Sequence, residues 1–146
     1  MIPLAALCLA FAPAPFLAAR KPATLEGTWE MLSHLRQGGG SALIGKEGLR
    51  IDKNGRWTFT RDGRDNTRYD TRRDDKARPP TLDLLNPGSR PDQPASFVGI
   101  YRMEGDILLY SYLPGGRPDA PRPAGFEPTG PSQYTIRLRR VPEAKR

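Results

Sequence analysis

The chain has 146 residues, the length of one domain. It contains one His and one Cys, too few for a transition-metal site or a disulfide framework, so we expect no metal site and no cofactor. The formal net charge of +7 would suit an anionic partner. Acidic and basic residues alternate from 61 to 78, however, which is typical of a solvated face and argues against a nucleic-acid-binding protein.

Residues 1–19 contain no charged side chain, whereas residues 20–146 carry every Lys, Arg, Asp and Glu. This step in composition predicts a secretory signal peptide over 1–19 and one exported domain over 20–146, located in the periplasm or outside the cell. The apolar segment is short and rich in proline, so we expect no stable membrane span after cleavage. Because Arg20 and Lys21 follow the segment and no basic residue precedes it, a start further upstream or a retained weak anchor stays open.

Alternation of apolar and polar residues, the pattern of half-buried strands, begins in residues 27–35. Residues 48–61 predict a hairpin, because two alternating runs flank Asn54-Gly55, a pair that favours a two-residue turn. Further strands are predicted over 67–72, 81–85, 96–103, 107–112 and 133–140.

These segments make eight candidate strands, and no segment has a helical period of ten residues or more. Eight antiparallel strands in chain order predict an all-β fold, an up-and-down barrel that leaves no open sheet edge. A sandwich of two sheets is the alternative. Two long loops, 87–94 and 114–131, are rich in proline, and we expect either a functional loop over a barrel mouth or a plain polyproline-like connector.

Four motifs carry a resemblance to a known family. They are Leu25-Glu26-Gly27-Thr28-Trp29, the block from Gly99 to Leu108, Arg122-Pro123 with Phe126, and the hydrophobic-basic ending from Ile136 to Arg140. Together they resemble a domain of unknown function that is expanded in planctomycete bacteria and has a lipocalin-like fold. The resemblance implies an eight-stranded lipocalin-like barrel and export, but no activity. Ser111 stands where many members have Cys, so no thiol role is implied.

A Gly-x-Trp before the first strand and basic residues at the end of the last predict how the barrel is closed at one end. We interpret Gly27, Trp29, Arg139 and Arg140 as a structural plug, with one arginine laid over the Trp29 ring. Alternation favours Arg140 facing inward and Arg139 facing outward, although a bulge would exchange them. The alternative role for Trp29 is to line a ligand pocket.

The predicted function is a non-enzymatic module that binds a small apolar ligand inside the barrel. Candidate lining residues are Phe59, Leu84, Phe97, Tyr101, Leu109 and Tyr134, with Arg102 or Arg122 as a polar anchor. An enzyme is not favoured, because the chain has no nucleophile motif, and His34, the single imidazole, is interpreted as an ordinary strand-end residue. The alternative is an envelope or extracellular protein whose basic surface and Pro-rich loop bind an anionic polymer or lipid.

Overall fold

The computed structural model describes residues 24–116 and 119–144, so the predicted signal segment lies outside the described residues. The described part of the chain is all-β. Its strands are β1 (Gly27–Arg36), β2 (Gly39–Ser41), β3 (Glu47–Ile51), β4 (Trp57–Arg61), β5 (Arg64–Asp74), β6 (Thr81–Leu85), β7 (Ala95–Glu104), β8 (Ile107–Gly116) and β9 (Tyr134–Arg140). None of these residues belongs to a helix long and apolar enough to span a membrane.

The strands form a closed eight-stranded antiparallel up-and-down barrel. From β3 to β9 each strand pairs with the next along the chain, while β1 pairs with both β3 and β9 and closes the cylinder. The short β2 is a hairpin extension that pairs only with the end of β1. The predicted barrel is therefore confirmed, and the two-sheet alternative is wrong.

The turn between β3 and β4 differs from the predicted two-residue type. The backbone N–H of Asp52 donates to the carbonyl of Arg56 over 3.1 Å, which encloses a three-residue loop, 53–55. Gly55 takes a φ of 79°, the left-handed conformation that glycine adopts without strain. The Asp52 carboxylate also accepts hydrogen bonds from the backbone N–H groups of Asn54 and Arg56, and these bonds stabilise the longer turn.

The middle of the barrel is filled by large side chains. Those fully buried inside it are Trp29, Trp57, Tyr110, Leu49, Leu82, Leu108, Ile136 and Leu138. The barrel has one end on each side of this filled middle. We call the end that contains the start of β1 and the end of β9 the Trp29 end. The other contains the end of β1 and the starts of β3 and β9, and we call it the His34 end.

The segment after β8 lies on the outer surface of the barrel instead of over a mouth. We call its described residues, 119–133, the strap. Arg122 donates hydrogen bonds to the carboxylate of Asp83, which points outward from β6 and is 1% exposed. Thr135 donates from its hydroxyl to the carbonyl of Phe126 over 2.7 Å. The strap therefore covers buried polar groups on β6 and β9, and of its described residues Phe126 alone borders a mouth of the barrel.

Candidate functional site

A cavity of about 200 Å³ lies at the His34 end, above the filled middle of the barrel. All eight barrel strands contribute to its lining, which includes Met31, Glu47, Phe59, Tyr69, Leu84, Phe97, Tyr112 and Ile136. Because the lining comes from every strand, this cavity is the interior of the barrel and not a surface groove.

Four aromatic rings contribute to the wall of this cavity, one each from β4, β5, β7 and β8. Neighbouring rings lie close to perpendicular: Phe59 to Tyr69 at 82°, Tyr69 to Phe97 at 79°, and Phe97 to Tyr112 at 75°. Their centroids are 5.2–6.0 Å apart, within the range of favourable edge-to-face contacts. We call Phe59, Tyr69, Phe97 and Tyr112 the aromatic wall.

The floor of the cavity depends on a glycine. Gly99 faces the barrel interior, and a Cβ atom at this position would lie 2.5 Å from Cε2 of Tyr110. The absent side chain leaves room for the Tyr110 ring, whose hydroxyl donates to the carbonyl of Leu82 over 3.2 Å. Burial raises the pKa of Tyr110 well above its ordinary value, so the floor is uncharged.

His34 enters the cavity because β1 contains a bulge. The register of β1 against β9 shifts between Met31 and Ser33, so His34 follows Met31 on the inner face. Its Nε2 and the Tyr112 hydroxyl share a hydrogen bond of 3.1 Å. Burial lowers the pKa of His34, an effect that the charge of Glu47 partly opposes, and burial raises the pKa of Tyr112 to about 12. Both side chains are therefore neutral at pH 7.

Glu47 places a carboxylate beside the aromatic wall. Its side chain is 18% exposed, and its Oε1 accepts a hydrogen bond of 3.1 Å from Nη2 of Arg61, its partner across β3 and β4. The Nε of Arg61 is buried and has no hydrogen-bond partner in the described part of the chain. The cavity thus combines apolar rings with one acidic group.

The Trp29 end carries a wider depression of about 970 Å³, bounded by Asn54, Pro79, Tyr101 and Phe126 among others. The Tyr101 hydroxyl donates to the carboxylate of Asp75, and burial together with this bond raises the pKa of Tyr101 to about 12. Charged residues of both signs line this depression. The core residues Ile51, Trp57 and Leu82 also line it, so it is the open mouth of the barrel at this end. We place the candidate site in the smaller cavity, whose described lining contains a single charged side chain.

The predicted lining residues lie in three places: at the cavity, at the opposite end of the barrel and on its outer surface. Phe59, Leu84 and Phe97 line the cavity, and Tyr134 lies next to it, with its ring 5.3 Å from His34 and 5.7 Å from Tyr112. Tyr101 and Arg102 line the depression at the opposite end.

Two predicted lining residues, Leu109 and Arg122, lie outside the barrel, and their assignment is corrected. Leu109 alternates with the inward Leu108 and Tyr110, so it faces outward beside Arg137. Arg122 belongs to the strap and reaches Asp83 on the outer face. Arg102 also projects outward, where its guanidinium lies 4.6 Å from the centroid of Phe126, so neither arginine can anchor a ligand inside the barrel.

The residues interpreted as a plug meet at the Trp29 end. The Trp29 indole donates from Nε1 to the carbonyl of Leu25 over 3.0 Å, and the Arg140 guanidinium lies 4.2 Å from the Trp29 ring centroid. Arg140 also donates to the carbonyl of Glu26 over 2.6 Å. Gly27 takes a φ of 137°, which favours glycine, and a Cβ atom here would lie 2.7 Å from Nη1 of Arg140. Arg139 points outward.

Sequence reasoning missed His34, Glu47 and Tyr112 as members of the site. Strict alternation from Trp29 and Met31 puts His34 on the outer face, and only the bulge reverses this. Nothing in the sequence marks that bulge. The described residues contain no group of three or more His, Cys, Asp or Glu side chains placed to hold a metal ion. Comparison of the chain with protein-family models, curated proteins and solved structures found no match.

Proposed function

We propose that this protein is a non-enzymatic binding module that holds one small, largely apolar molecule in the cavity at the His34 end. The observation that carries the proposal is a cavity of about 200 Å³ lined by all eight strands of a closed barrel. Pockets for small molecules are concave and mostly apolar, with a few polar groups that fix orientation. Here His34 and Glu47 are among the polar groups.

The size of the cavity restricts the ligand to a molecule of about one or two small rings. An apolar cavity of about 150 Å³ is large enough to bind benzene. Larger ligands would collide with the buried Tyr110 and Ile136 below. We further propose that the module works outside the cytoplasm, as the uncharged segment 1–19 predicts.

Blocking the rim of the cavity tests the proposal. Thr67 lines the cavity but is exposed, so Thr67→Trp would fill the entrance without disturbing the core. We expect indole, followed by calorimetry and by chemical shifts of the aromatic wall, to bind the wild type and not this variant. Thr28→Trp is the matched control, because Thr28 is also an exposed strand residue and is not part of the lining. A wild type that ignores indole and comparable small rings, or a Thr67→Trp variant that binds them equally well, contradicts the proposal.

A further inference from the structure

We infer that the preferred ligand is a small organic ammonium ion with alkyl groups on its nitrogen, held by the aromatic wall and Glu47. The inference rests on the proposed function and names the ligand class of the same cavity. Such an ion has an apolar surface and a diffuse positive charge, so it fits a site that combines aromatic rings with a carboxylate.

The arrangement of the aromatic wall favours a cation over a neutral ring. Successive rings meet at 75–82°, as the sides of a box do, and all four line the same volume. The faces of aromatic rings carry negative potential, and several faces around one volume attract a cation more strongly when water is excluded.

Glu47 is the one charged side chain among the described residues that line the cavity, and its sign is the one that this ligand requires. Glu47 supplies the carboxylate, and Arg61 donates to its Oε1, while Oε2 accepts no hydrogen bond in the described part of the chain. His34 contributes no charge at pH 7, since burial lowers its pKa. The net charge of +7 opposes cation binding at long range, but charges beyond about 8 Å are largely screened at physiological ionic strength. Because the Glu47–Arg61 pair carries no net charge, the attraction rests on the second oxygen of Glu47 and on the aromatic wall.

Comparison of two ligands of equal shape separates charge from size. Choline and 3,3-dimethyl-1-butanol differ in that a carbon replaces the charged nitrogen. By calorimetry at pH 7.5 we expect the wild type to bind choline at least about tenfold more tightly than the neutral alcohol. Equal affinity for the two, or binding of the alcohol or of indole without choline, overturns the ammonium inference and leaves the proposed function intact. Absence of binding for choline, the alcohol and indole alike refutes both.

Two variants locate the effect in the cavity. We expect Glu47→Gln and Phe97→Leu each to weaken choline binding at least about fivefold, with less effect on the neutral alcohol. Glu30→Gln is the matched control, because Glu30 is a strand carboxylate that pairs with Arg139 on the outer face. Choline affinity that is equal in Glu47→Gln and Glu30→Gln contradicts the role of Glu47. The two-ligand comparison in the wild type remains decisive if either cavity variant fails to fold.

Discussion

At the scale of single residues, Arg139 and Arg140 are neighbours in the chain with opposite environments. Arg140 faces inward, lies over Trp29 and donates to the backbone that precedes β1. Arg139 faces outward and pairs with Glu30 over 2.8 Å, with more than half of its side chain exposed. The difference follows from strand alternation, which sends consecutive side chains to opposite faces of the sheet.

We therefore expect Arg140→Gln to lower the free energy of unfolding by about 2 kcal/mol, since it removes a cation–π contact and charge-assisted hydrogen bonds. Arg139→Gln is the matched control and should change stability little, because exposed ion pairs are screened by solvent. Urea denaturation of the two variants measures the difference. Equal losses in both variants would show that the Trp29 end does not depend on Arg140.

His34 also makes a prediction at this scale, because its pKa is lowered by burial in the folded state. The unfolded chain binds the proton more readily, so the stability that neutral His34 contributes is complete above about pH 6.5 and is lost as the pH falls. Besides His34, Glu47 from β3, Tyr112 from β8 and Tyr134 from β9 face this position. With its pKa of about 12, Tyr112 does not titrate in this range.

We expect thermal unfolding of the wild type to shift to lower temperature between pH 7.5 and pH 5. The shift should be smaller in His34→Gln, which cannot take up the proton. The chain contains no second histidine to mask the comparison. Identical pH profiles for the two proteins would mean that His34 titrates in the folded state as it does in water.

At the scale of elements, the strap is held by an ionic cluster on the outer face of the barrel. Asp83 accepts hydrogen bonds from Arg72 on β5 and from Arg122 in the strap, at 2.8 and 3.0 Å. Both arginines are about one-fifth exposed, whereas Asp83 is 1% exposed. Removing the carboxylate of such a pair is costly, because the opposite charges remain partly buried without a counter-ion.

We expect Asp83→Asn to destabilise the protein by about 3 kcal/mol and to release the strap. Relative to the wild type, hydrogen exchange should then accelerate more in residues 119–133 than in β3 and β4, which lie on another part of the barrel. Asp92→Asn is the control, since Asp92 also pairs with an arginine but is 73% exposed. Unchanged exchange in the strap would show that its backbone contacts with Gln133 and Thr135 are sufficient.

Elements with local signals could be predicted from the sequence, and those that depend on distant contacts could not. Alternation located every strand of the barrel, since each inner face buries an apolar set. It could not place the strap, because Asp83 and Thr135 look like ordinary solvent-facing strand residues until the strap covers them. The cavity was predicted only in part for a similar reason, as the bulge that brings in His34 has no sequence signature.

At the scale of the whole molecule, many arginines form ion pairs with nearby carboxylates instead of gathering into one basic surface. Arg50 and Arg68 both pair with Asp65, and Arg56 pairs with Asp70. These contacts join charged residues of β3, of the turn before β4 and of β5 across the outer surface of the sheet. Binding of an anionic polymer or lipid stays a prediction, and the pairing of these arginines reduces the free positive charge that such a partner would meet.

The pairing of β1 with β9 also determines when the barrel can form. Glu30 and Arg139 touch across that seam, yet they are 109 residues apart in the chain. Contacts of such long sequence separation make folding slow, because the entropy of closing the loop is lost before the contacts form. The cylinder cannot close during synthesis until the last strand has left the ribosome. Until that strand pairs with β1, each of these two strands presents an unpaired edge.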